Sequence, residues 1–170
     1  MTASCFTQRI QGGARSMIGI GVIGYGYWGP NLVRNFEGQP TGYVAAVCDA
    51  RQEKLDLVRT LYPSARTYLR VEAMLEDPDV SAVAVATPVD THYALAMQCL
   101  EADRHVFVEK PLTSSVETAE GLVAEARRRG RVLMVDHTFL YTGAVRKLRE
   151  LVDEGALGEL YEYDSVRVNL

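Results

Sequence analysis

Cysteine is scarce in this chain and poorly placed for chemistry. Its three residues, Cys5, Cys48 and Cys99, are far apart and odd in number, and no C-x-x-C or Cys/His cluster accompanies them. That excludes a disulfide framework and a thiolate zinc site, and it fits a reducing cytoplasm. Histidine is equally sparse. His92, His105 and His137 show no metal-ligand spacing, so no metal is expected. No apolar run reaches the ~20 residues that a membrane-spanning helix needs. Positive charge is not in excess either. The formal net charge is −4, which argues against nucleic acid or an anionic membrane as partner, since both need a basic face. Low-complexity linkers are absent.

What remains is ordinary globular material: 170 residues, 48% apolar and 24% charged, enough for one domain with a sizeable core. The first 16 residues stand apart. They have no apolar core and no cleavage site, so they do not read as a secretory signal. They read as a flexible extension, as a mis-chosen start codon would produce, with the folded part beginning at Met17.

From there strands and helices alternate. Apolar runs predict strands at Ile18–Ile23, Tyr43–Cys48, Val80–Ala86, His105–Val108 and Arg131–Val135, with a short one near Ala65–Tyr68. Helical spacing predicts helices at Pro30–Glu37, Arg51–Leu61, Val71–Glu76 and His92–Ala102, the last capped by Asp90 or Thr91. A longer helix starts at Ser114 or Ser115 and reaches Arg129, where Gly130 stops it. The triplet Arg127-Arg128-Arg129 suits a helix C-terminus and reads as a solvated end. This alternation implies an α/β fold, a Rossmann-type doubly wound parallel sheet with helices on both faces. The segment after residue 138 differs. It predicts a helix at Thr142–Glu154, burying Val145, Leu148, Leu151 and Val152. A strand at Glu159–Leu170 follows, the first of a second α/β domain. The expected division is therefore 1–16, 17–138 and 139–170.

The chemistry concentrates where strands end. Gly24-Tyr25-Gly26-Tyr27-Trp28-Gly29 fits G-x-G-x-x-G between a strand and a helix. In that context the first glycine permits a tight turn and the second lets a pyrophosphate approach the backbone. The third lets helix and strand pack closely, and the helix start offers N–H groups to phosphates. Alone the motif is weak, since any α/β protein can carry a glycine-rich turn. Asp49 ends the second strand 20 residues after Gly29, where an acid binds the adenosine ribose of NAD. The alternative for Asp49 is a helix cap. Arg51, two residues on, leaves NADP open. Thr87-Pro88 ends another strand and is a candidate wall of the crevice, or a simple turn. His92 lies in a helical first turn, in a neutral hydrogen-bonding role or as a structural histidine. His105 reads as structural, and His137 follows the sixth strand. Glu109-Lys110-Pro111 ends the fifth strand. There Lys110 can orient a substrate hydroxyl, Glu109 can hold it by an ion pair, and Pro111 makes the preceding peptide a candidate for the cis form.

Taken together, VIGYGYWGPNLVRNF, CDAR, ATPVDTHYALAMQCL and HVFVEKPL resemble the glucose–fructose oxidoreductase / inositol dehydrogenase / MocA family of nicotinamide-dependent oxidoreductases. The resemblance runs from Ile18 to Leu170. The ending DHTFLYTGAVRKLRELVDEGALGELYEYDSVRVNL resembles the sugar and nucleotide-sugar dehydrogenases of that family. The resemblance implies that Lys110 is the catalytic lysine and that Thr87, Pro88, His92 and Glu109 line the NAD site. It also implies a small sugar-type or cyclitol substrate and a homo-oligomer. Family members are about twice this length, and their second domain usually supplies a catalytic histidine that none of the three histidines here matches. The chain is therefore expected to bind NAD(H) with little turnover. The rival expectation is a non-catalytic NAD-binding module that pairs through Tyr161, Tyr163, Val166 and Val168 on an exposed strand edge. A short-chain epimerase is disfavoured, because no tyrosine is followed four residues later by lysine.

Overall fold

The computed structural model describes residues 17–166 and 168. The predicted extension Met1–Ser16, with Cys5, lies outside the described residues, as do Arg167, Asn169 and Leu170. The chain divides into two compact units between Asp136 and His137.

In the first unit, β1 (Ile18–Ile23), β2 (Gly42–Cys48), β3 (Arg66–Tyr68), β4 (Ala82–Val85), β5 (His105–Val108) and β6 (Leu133–Val135) form one sheet, ordered β3-β2-β1-β4-β5-β6. Every pairing is parallel. The helices are α1 (Gly29–Glu37), α2 (Gln52–Leu61), α3 (Val71–Leu75), α4 (Val89–Glu101) and α5 (Val116–Arg129).

Strands buried on both faces must be apolar throughout, and their side chains alternate between two cores. Ile23, Val83, Val85, Val106 and Val108 pack with Met74 of α3, Cys99 and Leu100 of α4, and Leu122 of α5. Val22, Val44, Val47 and Ala84 pack on the other face with Leu32 and Val33 of α1 and Val58 of α2. The β1–β2 register slips between Ile20 and Gly21, from Val44 to Ala46. Ala45 is skipped, so Ala45 and Ala46 both join the first core. Cys48 and Cys99 are buried small hydrophobes, and burial pushes both thiols up to about 12. No helix among the described residues is long and apolar enough to cross a membrane.

Two local expectations shift. Helix α4 begins at Val89 with Pro88 at its cap, ahead of Asp90 and Thr91. Thr91 lies inside the first turn, its Oγ1 2.7 Å from both the Pro88 carbonyl oxygen and Thr87 Oγ1. For α5 the cap is Ser115, whose hydroxyl accepts the Thr118 N–H at 3.2 Å.

The second unit holds a 3-10 turn at Thr138–Tyr141 and α6 (Gly143–Asp153). None of the α6 residues is buried. Leu148 and Val152 are exposed, against the expectation of a buried stripe. An amphipathic helix hides its apolar face only against another layer, and within its own unit α6 adjoins the short 3-10 turn. Nor does the predicted strand at Glu159–Leu170 form among its described residues. A single extended segment without a partner has no ladder to satisfy its backbone groups.

Candidate dinucleotide site at the strand ends

β1 lies between β2 and β4, at the reversal of strand order that opens a crevice beyond the carboxyl ends of a parallel sheet. The chain leaves β1 through Gly24, whose N–H donates to the Cys48 carbonyl at 2.8 Å. Gly24 has φ +94°. A Cβ there would sit 2.5 Å from the Ala86 carbonyl oxygen and 2.9 Å from the Thr87 methyl, so glycine is required on both counts. A Cβ on Gly29 would lie 2.1 Å from the Gly24 carbonyl oxygen. The first turn of α1 therefore rests directly on the strand exit.

Gly26 is different. A Cβ there would meet nothing closer than an Arg51 guanidinium nitrogen at 3.8 Å. The protein has no steric need for glycine at this position. Bare backbone facing open space is what a group docking onto the amides requires. At the start of α1, Trp28 makes no side-chain cap bond and the first turn carries no acid. Pro30 has no N–H, and the Asn31 and Leu32 N–H groups donate to the Trp28 carbonyl at 3.0 and 3.2 Å. The positive end of the helix, with no acid in its first turn, favours a phosphate. These observations fit a dinucleotide pyrophosphate.

The aromatic letters of the turn divide their work. Tyr25 is buried in the core with Val22 and Val33. Tyr27 and Trp28 are exposed, with rings stacked at 5.8 Å and 7° between planes. The Tyr25 N–H donates to Asp49 Oδ2 at 2.8 Å. Asp49 also accepts the Arg51 N–H at 3.0 Å and its guanidinium at 3.0 and 3.1 Å. Burial pulls the Asp49 carboxyl up, but hydrogen bonds from Arg51 and Tyr25 outweigh it and hold the group below its ordinary value. Asp49 therefore anchors the glycine turn to the end of β2, which sequence spacing did not reveal.

Beyond β4 and β5 a second group assembles. His92 is 1% exposed. Its Nε2 lies 2.8 Å from the Thr87 carbonyl oxygen and its Nδ1 2.9 Å from that of Pro111. The ring ties the two strand-end loops together from beneath. The Lys110–Pro111 peptide is cis. Lys110 and Pro88 are exposed, while Thr87 is half-buried against Gly24. The expected Glu109–Lys110 ion pair does not form among the described residues. Glu109 is buried, and its Oε2 accepts the Lys110 backbone N–H at 3.2 Å. Burial first, then the neighbouring Asp136, pushes the Glu109 carboxyl up to about 7. Asp136 follows β6 as Glu109 follows β5, in the parallel register that pairs Val108 with Val135. Counting residues past each paired strand would have found it.

His105 is structural. Its Nδ1 accepts the Val132 N–H at 3.0 Å, and burial with nearby Arg131 holds the ring below its ordinary value. His137 opens the second unit and is exposed.

Comparison with known proteins matches residues 18–137 to the oxidoreductase family with an NAD-binding Rossmann fold. An uncharacterized oxidoreductase of Escherichia coli K12 is 33% identical over 149 residues, covering 87% of this chain and 42% of that protein. A myo-inositol 2-dehydrogenase of Thermotoga maritima is 29% identical over 140 residues, covering 82% and 42%. A 3-ketoreductase from Actinomadura kijaniata, solved with NADP and TDP-benzene, superposes with a TM-score of 0.78 at 32% identity. That match covers 85% of this chain and 44% of that one. The chain thus spans about two fifths of the length of these relatives. With its glycine turn, its strand order and the matched residues in agreement, the chain belongs to the glucose–fructose oxidoreductase / inositol dehydrogenase / MocA oxidoreductase family, and residues 18–137 are its NAD-binding Rossmann domain.

Proposed function

We propose that Gly24–Gly29 and the start of α1 bind the pyrophosphate of NAD(H), and that the chain serves oxidation of a ring hydroxyl on a cyclitol, sugar or nucleotide sugar. The observation that carries this reading is the contrast within the turn. Gly24 and Gly29 are required by the protein's own packing, whereas Gly26 faces open space beside an uncapped helix start. Tyr25 and Asp49 hold the turn. Asp49 and Arg51 face the adenosine ribose, the carboxylate favouring NAD and the guanidinium tolerating NADP. Thr87 and Pro88 form the wall beyond β4, and His92 supports that wall and Pro111 from below. Bound NAD supplies the hydride acceptor. Lys110, exposed at the end of β5, donates a hydrogen bond to the substrate oxygen and stabilises the charge that develops there. The names of the relatives, a myo-inositol dehydrogenase and a ketoreductase, support a polyol or sugar-type substrate.

Residues 17–138 serve as the cofactor domain and 139–170 as the entry to a substrate domain. Accordingly this chain alone binds the dinucleotide without efficient turnover. Trp28 is the sole tryptophan and sits in the turn, so NADH or NADPH binding is read from its fluorescence. Saturable quenching by NADH, weaker with NADPH, is expected. No saturable change with either sinks the proposal. A second reading, a non-catalytic module that pairs with another chain, draws on the exposure of Tyr161, Tyr163 and Val166. Light scattering showing a monomer unaffected by deleting residues 161–170 removes it.

A further inference from the structure

The ends of β5 and β6 bring two acids together. Glu109 and Asp136 each follow the last paired residue of adjacent parallel strands, and the Asp136 N–H donates to the Val108 carbonyl at 2.9 Å, which locks their spacing. Glu109 is 7% exposed. Its Oε2 takes the Lys110 N–H, but its Oε1 is buried and receives no N–H or hydroxyl donor among the described residues. The neighbour that remains is the Asp136 carboxyl, placed to hydrogen-bond with it. Two carboxyl groups can make that bond only when one of them holds a proton. The other charged group facing Glu109 is Lys110 from its own loop. From α4, His92 turns both ring nitrogens to the Thr87 and Pro111 carbonyls.

We propose that Glu109 and Asp136 share one proton, and that Asp136 is a positioning residue: it keeps Glu109 in a single-proton pair that leaves the rim beside Lys110 with one negative charge. Loss of the proton places a second negative charge there and weakens the hold on an anionic dinucleotide. This second step rests on the cofactor reading above. Burial and the Asp136 charge both raise the Glu109 carboxyl, to about 7, so the change falls in the neutral range. The raised value supports the geometry without replacing it, because the unpartnered buried oxygen already demands a proton donor.

Carbon-13 NMR of the carboxyl groups tests the pair in the 170-residue chain. A Glu109 carboxyl titrating near neutrality is expected in the wild type. Asp136→Asn replaces the second acid by an amide that donates to Glu109, and it moves that titration to lower pH. Glu109→Gln abolishes it. In parallel, Trp28 fluorescence follows NADH binding from pH 6 to 8.5. Wild-type affinity falls about fivefold over that span, as one added charge near the ligand predicts, and Asp136→Asn is flat. Carboxyl carbons of Glu109 and Asp136 that both titrate below pH 5 overturn proton sharing. An NADH affinity as flat in the wild type as in Asp136→Asn overturns its effect on binding. If no variant binds NADH at any pH, the cofactor reading fails, while the carboxyl titration still decides the proton sharing.

Discussion

At the scale of single residues, the three glycines of the turn do unequal work, and substitution separates them. Gly26→Ala puts a methyl into open space. It leaves stability within about 0.5 kcal/mol and lowers NADH affinity at least about tenfold by blocking approach to the backbone. Gly29→Ala drives a methyl onto the Gly24 carbonyl and costs about 1–3 kcal/mol as overpacking. Urea unfolding and Trp28 fluorescence read the two effects apart. Equal stability losses in both variants would contradict the assignment. Asp49 is both an anchor and a charge. Asp49→Ala strands the Tyr25 N–H and costs about 1–2 kcal/mol. Asp49→Asn keeps an acceptor for that N–H, so it recovers much of the stability, while the proposed ribose role predicts that NADH affinity stays low. NADH titration of the two variants checks the split.

At the scale of elements, the short strand β3 is held at the sheet edge by one buried acid. Asp77 is 5% exposed. It accepts the Arg66 guanidinium at 2.6 and 2.8 Å, the Tyr68 hydroxyl at 2.9 Å and the Asp79 N–H at 3.0 Å. Burial raises its carboxyl, but these bonds win and hold it below the ordinary value. Arg66 is half exposed, so the ion-pair share is screened. Asp77→Ala is expected to cost about 2 kcal/mol, chiefly from the stranded amide and hydroxyl. Amide exchange should rise in β3 first, and an unchanged β3 would show that the clamp is idle. None of this was visible in the sequence, where Arg66 and Asp77 are eleven residues apart and belong to different elements.

At the scale of the whole molecule, the shifted acids shape stability in opposite directions. Asp49 and Asp77 have folded values below 3.8, so their contribution is present above that pH and is lost as pH falls through the folded values. Glu109 runs the other way. Its folded value is about 7 against an ordinary 4.5, so the folded state binds the extra proton and stability falls as pH rises from 4.5 to about 7. The decline is at most about 3 kcal/mol. Maximum stability is therefore expected near pH 4.5–5, on the acid side of neutrality. Urea midpoints between pH 3 and 9 measure it, and Asp136→Asn should flatten the neutral side. A wild-type midpoint that rises steadily to pH 8 would refute the assignment.

The strand–helix alternation, the Gly24–Gly29 turn and the strand-end positions of Asp49, Thr87, Glu109 and Lys110 were legible from residue order. Each rests on local periodicity or on a glycine between two elements, and both act within a few residues along the chain. What residue order left open was settled by neighbours distant in sequence. Asp49 reaches back 24 residues to Tyr25, and His92 bridges two loops 24 residues apart. The apolar stripe of α6 was correctly read as a pattern, yet it is not buried, because burial depends on a packing layer and not on the pattern. The strand-like Tyr161–Val166 forms no strand, because a ladder needs a partner. Asp136 gains meaning only beside Glu109, since the sharing of a proton is a property of two groups brought together by the sheet.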